Sequence, residues 1–177
     1  MARVNNINIT DGIIAYSNFA GRPTDYKPEG GSRTVTFVIP DDIAQSLIDD
    51  GWNVRLQTFK NDPEREPRYL LECKFSFRTR DGSPRDPKIF IVRDDGLVHM
   101  TEDTVGTLDA ADILSVDAVI GPSYWEWGGR SGIAAYINSM YVKIKENPID
   151  EKYRKMIQEM NEHILPTDDS ELPFPIE

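Results

Sequence analysis

Aromatic and cationic residues cluster at three places along this chain. Phe19, Arg22, Tyr26 and Lys27 share one Gly- and Pro-rich stretch, and Tyr124, Trp125 and Trp127 precede Gly-Gly-Arg130. Between them, Lys74-Phe75-Ser76-Phe77-Arg78-Thr79-Arg80 mixes rings with charge, and Arg33 and Arg55 add cations on neighbouring segments. Ring faces let unpaired bases stack, at roughly 1–3 kcal/mol per base, while guanidinium and ammonium groups neutralise phosphates. On an extended strand Lys74, Ser76 and Arg78 share one face and Phe75 and Phe77 the other, so the two phenylalanines are expected in a core. Trp125 and Trp127 flank Glu126 and are expected to project from one side of a ribbon. Trp52, just after Gly51, is expected to be buried.

Catalytic constellations are sparse. The chain has no Walker A loop, G-x-G-x-x-G, G-x-S-x-G or H-E-x-x-H sequence. His99, in Leu97-Val98-His99-Met100, reads as a packed or surface histidine. One enzyme-like pattern is present: Asp62-Pro63 followed by Glu72-Cys73-Lys74 mimics the acid, acid-x-Lys array of metal-dependent nucleases, which hold Mg²⁺ between carboxylates. Those arrays sit in sheets flanked by helices, so solvent-facing residues on an edge strand are the simpler reading. A lone Cys73 excludes an internal disulfide and any multi-cysteine metal site, and only His99 and His163 offer imidazole ligands. No metal or cofactor is expected.

Charge is distributed unevenly. The 177 residues carry 20 Lys and Arg against 30 Asp and Glu, a net charge of −10 that by itself argues against a polyanionic partner. Between Trp52 and Arg93 the sign reverses: Arg55, Lys60, Arg65, Arg68, Lys74, Arg78, Arg80, Arg85, Lys88 and Arg93 outnumber six acids, a local +4. From Glu162 onward come Glu162, Asp168, Asp169, Glu171 and Glu177 with no Lys or Arg, so the C-terminus holds half of the net charge. In Thr167-Asp-Asp-Ser-Glu-Leu-Pro-Phe174 these acids precede an apolar knot. A partner would meet Asp168, Asp169 and Glu171 with a basic patch and take Leu172, Pro173 and Phe174 into a pocket. The same tail could compete with a nucleic acid for the cationic body.

The elements that must position these groups are mostly strands. A strand-like run carries Ile7, Ile9, Ile13 and Ile14; Asn18 to Ser32 reads as an exposed loop; and Arg33 to Ile39 alternates as a strand. Pro40 and Asp41 open a short helix with Ile43, Ala44, Leu47 and Ile48 on one face, ended by Gly51. Strands are expected over Trp52–Phe59, Arg68–Phe77 and Lys88–Val92, with loops at Asn61–Pro67 and Asp81–Pro87. Thr101–Ala111 suggests a short helix capped by Thr101 or Asp103. Leu114–Ile120 and Ile133–Ile144 are strands joined by a hairpin tip spanning 121–132. Ile149–Ile164 reads as an amphipathic helix with Tyr153, Met156, Ile157, Met160 and Ile164 at helical spacing. The organisation is therefore a domain over 1–147, a helix over 148–164 and a disordered acidic tail over 165–177. With 39% hydrophobic and 10% aromatic residues the body can bury a core. Many short strands and few helices favour a mainly β, five-stranded OB-like barrel with long hairpins over a layered α/β sheet. No segment is apolar enough to span a bilayer and none resembles a signal peptide, so a reducing cytoplasm is expected and a membrane partner is not.

Words scattered along the chain resemble a group of small single-stranded-DNA-binding proteins of tailed bacteriophages and prophages. They are Asn18-Phe19-Ala-Gly-Arg22, Tyr26, Gly31-Ser-Arg-Thr-Val-Thr-Phe37, Leu47-Ile-Asp-Asp-Gly51-Trp-Asn53, Leu108-Asp109, Val116-Asp117, Gly121-Pro-Ser-Tyr-Trp125 and Gly132-Ile-Ala-Ala-Tyr136. The resemblance covers roughly Ile13 to Ile144. It implies an OB-fold protein without catalytic activity, acting on single-stranded DNA in phage replication and recombination within the bacterial host cytoplasm. The tail is similar to the acidic peptide ending in Pro-Phe with which bacterial single-stranded-DNA-binding proteins recruit replication and repair proteins. Here Pro175-Ile176-Glu177 follow the Phe, whereas the bacterial peptide ends on it. The alternative from composition is an acidic interaction protein or DNA mimic. The helix over 148–164 could pack on its own barrel or pair with a second subunit, leaving a homo-oligomer open.

Overall fold

The computed structural model describes residues 3–163. The chain runs β1 (Ile7–Asn18), β2 (Arg33–Ile39), α1 (Asp41–Asp50), β3 (Val54–Gln57), β4 (Arg68–Phe75), β5 (Lys88–Arg93), β6 (Gly96–His99), a 3₁₀ turn (Val105–Ala110), β7 (Ile113–Trp127), β8 (Arg130–Ile144) and α2 (Pro148–His163). Five of the strands close a barrel. β1 pairs with β2 and β7, β2 with β4, and β7 with β8, all antiparallel. The ring closes where β4 and β8 run parallel through Cys73–Ala135 and Lys74–Tyr136. The order β1-β2-β4-β8-β7 is that of an OB barrel, as expected from the sequence. β3 extends the sheet from β4, and a β5–β6 hairpin joins β8 through its parallel β5 strand.

Alternation builds the core. Val35, Phe37 and Ile39 of β2, Leu71, Cys73 and Phe75 of β4, and Val116, Ala118 and Ile120 of β7 all point inward and are buried. A bulge in the β7–β8 ladder at Val119/Ile120 makes Asn138 the extra residue, so Ile137 and Met140 both face the core. β1 serves two neighbours because it bends: Ile7–Gly12 pairs with β7 and Ile13–Asn18 with β2. At the bend Asp11 has φ 51° and donates its backbone N–H to Asp117 Oδ1 at 2.8 Å. Gly12 follows because a Cβ there would lie 2.4 Å from Ile9 Cγ2 and 3.1 Å from the Val116 carbonyl.

Several boundaries differ from the sequence expectation. The strand expected to run to Phe77 ends at Phe75, where the Ser76 hydroxyl donates to the Arg78 carbonyl and bends the chain. Trp52 lies outside β3, buried, bridging to Ile133. The hairpin tip is not a loop: the β7–β8 ladder continues to Trp127–Arg130 and turns on Gly128 and Gly129 alone. Both glycines have positive φ, 59° and 79°, as a two-residue hairpin turn matching the strand twist requires. β6 was not expected, and the Thr101–Ala111 helix is only a 3₁₀ turn from Val105. α1 and its end at Gly51 match expectation. The barrel belongs to the unit Met1–Ile144 and α2 to the unit Lys145–Glu177. The tail residues Asp168, Asp169, Glu171, Leu172, Pro173 and Phe174 lie outside the described residues. Among the described residues no helix is long and apolar enough to cross a membrane.

Candidate nucleic-acid interface

Strand register decides which side chains leave the barrel wall. Inward Val35, Phe37, Leu71 and Cys73 turn their neighbours to the other side of the wall: Thr34 pairs with Lys74, Thr36 with Glu72, and Tyr16 of β1 with Thr36, while Thr36 and Leu70 themselves lie buried beneath the longer side chains. On the other side of β4, Arg55 and Gln57 pair with Leu70 and Arg68. Lys74 also stands beside Tyr136 at the parallel seam with β8. The outer face of β1, β2, β4 and β3 thus presents Tyr16, Arg55, Arg68 and Lys74, with Glu72 as the carboxylate among them. A groove of about 230 Å³ runs between β3, β4 and β8, lined by Asn53, Arg55, Glu72, Lys74, Ala134 and Ala135. A neighbouring cleft of about 510 Å³ brings Arg85 together with Ser123, Tyr136 and Asn138.

The upper part of this face is held by a polar chain. Gln57 donates its amide N–H to the Tyr16 hydroxyl, and Arg68 Nε donates to Gln57 Oε1 at 2.7 Å. The Gln57 hydrogen bond, and then that of Arg68, hold the Tyr16 phenol below its usual range. Arg68 lies 5.8 Å from the Tyr16 ring centroid and 5.6 Å from that of Phe59, and Arg65 sits 3.8 Å over Phe59. Cations stacked on rings keep their outer edges available to phosphate while the rings hold them in place.

The β7–β8 ribbon continues the same face beyond the barrel. Trp125 pairs with Gly132 and Trp127 with Arg130, so both indoles project from one side, as their spacing predicts. A Cβ on Gly132 would lie 2.7 Å from Trp125 Cζ2 and 3.0 Å from Asn53 Oδ1. The missing side chain lets the Trp125 indole lie across the ribbon, beside the groove that Asn53 lines. Trp125 is 38% exposed and Trp127 81%, unusual for residues of this size in a folded protein.

Other predicted residues take different places. Phe19, read as a loop aromatic open to bases, is completely buried and packs 6.0 Å from Phe75. Its backbone is gripped from both sides: the Asp109 carboxylate accepts the N–H groups of Phe19 and Ala20, and Arg33 Nη1 donates to the Phe19 carbonyl at 2.6 Å. Arg33 also lies over the Phe77 ring, so it fastens the loop base rather than facing a ligand. Tyr124 falls on the opposite side of the ribbon from the tryptophans, where its hydroxyl accepts the Val4 N–H at 2.7 Å. Arg78 and Arg80 sit on the 76–87 excursion instead of β4, and Arg78 pairs with Glu102 at 3.3 Å. Arg22, Tyr26 and Lys27 occupy the 19–32 loop, which enters β2 beside the Lys74 end of the face. Tyr26 is fully exposed there. Asp62 lies on the 58–67 excursion, and among the described residues no three His, Cys, Asp or Glu side chains gather as a metal site.

A family model of the phage ssDNA-binding domain matches residues 1–174. The chain belongs to that family. Among solved structures it is similar to a C-terminal truncation of the single-stranded DNA-binding protein from bacteriophage Enc34, with TM-score 0.53 and 15% identity over 81% of this chain and 88% of that one. It is similar also to the Enc34 protein in complex with ssDNA, with TM-score 0.51, 13% identity, and 81% and 89% of the two chains covered. At such identity the likeness speaks for the barrel fold. Comparison with curated protein sequences returned no match.

The residues that sequence reading missed are Tyr16, Gln57, Phe59 and Tyr136, whereas Arg65, Arg68 and Arg85 were marked only as members of the basic segment over 52–93. Their signal was present only as types: a tyrosine on a strand, an arginine at a strand start. What joins them is pairing between segments 41 and 11 residues apart, Gln57 with Tyr16 and with Arg68.

Proposed function

We propose that the protein binds unpaired DNA along the outer face of β1, β2, β4 and β3 and stacks bases on the tryptophans of the β7–β8 ribbon. The observation that carries this reading is the continuity of cations and open rings on one surface: Arg55, Arg68 and Lys74 on the wall, Trp125 and Trp127 beside them. Arg22, Tyr26 and Lys27 flank the strand at the loop end and Arg130 at the ribbon end. The two loops bracketing this face are those that OB barrels use for oligonucleotides, and a fold neighbour is a protein in complex with ssDNA. Binding is largely independent of sequence, since ring faces and phosphate charges carry no base code. The protein has no catalytic role; it covers phage DNA intermediates during replication and recombination in the host cytoplasm. Asp168, Asp169, Glu171, Leu172, Pro173 and Phe174 recruit partner proteins and compete with DNA for the cationic face.

Titration with oligo-dT is expected to quench tryptophan fluorescence, with duplex of equal length competing poorly because its bases are already stacked. Equal affinity for duplex, or no quenching at low salt, removes the proposal. An acidic DNA mimic would bind no oligonucleotide at all.

A further inference from the structure

The apolar stripe of α2 faces solvent. Ile149, Tyr153, Met156, Ile157 and Met160 are between 48% and 64% exposed. A 16-residue helix is marginal in water by itself, and with its stripe about half exposed α2 gains from a cover. Its spacing says what kind. Ile149, Tyr153, Met156 and Met160 follow one another at intervals of four, three and four residues, the a/d repeat with which one helix meshes with another helix. Ile157 borders the seam.

We propose that the cover is α2 of a second copy, lying antiparallel across a twofold axis. In that arrangement Tyr153 meets the partner's Met156, and Ile149 meets the partner's Met160; the same contacts recur by symmetry. The flanking charges select the direction. Antiparallel pairing sets Lys152 against the partner's Glu159, twice, whereas a parallel pair would set Lys152 against the partner's Ile157 and gain no ion pair. Both residues are exposed on the helix surface and available for it. The seam from Ile149 to Met160 is only about 17 Å long, short of a standard stable interface, so the dimer is weak in isolation and concentration-dependent. On one DNA strand two linked barrels hold each other at high effective concentration, which converts a weak contact into avidity. The dimer itself does not depend on the DNA-binding reading.

Sedimentation velocity on the full chain without DNA tests this. Over loading concentrations from about 5 to 300 µM, the weight-average coefficient is expected to rise from the monomer toward the dimer value. Met156→Glu is expected to abolish the rise. Lys152→Glu, which sets like charges together twice, is expected to weaken the dimer by roughly tenfold. Lys152→Glu with Glu159→Lys is expected to restore it, with near-UV circular dichroism confirming an unchanged barrel in each variant. A monomer at every concentration overturns the proposal, as when α2 packs on its own barrel or awaits a different protein. So does a dimer indifferent to Met156→Glu, which assembles through another surface. If Lys152→Glu has no effect, or the double swap fails to rescue, the antiparallel pairing is wrong.

Discussion

Replacing Arg55 and Lys74 together with alanine removes the two cations that flank the groove between β3, β4 and β8, both exposed and neither part of the core. Each phosphate contact contributes a slope of about −0.7 to the logarithm of affinity against the logarithm of salt for single strands. If Arg55, Arg65, Arg68, Lys74 and Arg85 each neutralise one phosphate, the slope for oligo-dT is about −3.5, and the double variant falls to about −2.1. Across a fourfold span of salt, the affinity deficit of the variant should therefore shrink by about sevenfold, from four raised to the power 1.4. Fluorescence anisotropy with labelled oligo-dT at four salt concentrations gives both slopes. The control is Lys88→Ala with Lys143→Ala. These cations pair with Asp86 at 2.7 Å and with Asp11 at 3.6 Å, away from the groove. Either double variant takes the formal charge from −10 to −12, so a purely global field would change both equally. Equal slopes for the two variants, or an unchanged slope for Arg55→Ala with Lys74→Ala, would refute the placement of the strand.

Three further outcomes follow from the same geometry. Trp125→Ala and Trp127→Ala should each weaken oligo-dT binding by about 5- to 150-fold, while Tyr124→Phe, on the other side of the ribbon, leaves the affinity unchanged. Phe19→Ala should act on stability instead, costing about 3–5 kcal/mol in urea unfolding, because its ring is buried against Phe75. Burial pushes the Cys73 thiol far above its ordinary range, so it should resist an aromatic disulfide reagent at pH 8 and react only once urea unfolds the barrel. Rapid labelling of the native protein would mean that β4 opens at the seam with β8.

The main outline was legible without coordinates because it rests on local periodicity. Alternation in Arg33–Ile39, the capped stripe of α1 and the Trp-Glu-Trp spacing each depend on residues within a few positions of one another. The reversal of charge over 52–93 likewise marked the segment that supplies Arg55, Arg68 and Lys74 to the candidate face. What local pattern could not carry is contact between distant segments. Phe19 has the neighbours of a loop residue, yet Asp109 and Arg33 pull its backbone inward and the Phe75 ring buries it. Phe77 and Arg78 continue a strand-like alternation, but the Ser76 hydroxyl diverts the chain and sends Arg78 and Arg80 off the face. Tyr16 becomes a site residue only because β2 and β4, pairing with β1 and β3, bring Gln57 within reach of its hydroxyl. Composition and spacing thus determined a β-barrel with cations and rings able to meet an unpaired strand. Closure of the barrel decided which of those groups share one surface, since side-chain direction follows strand register and register is set by partners far away in the chain.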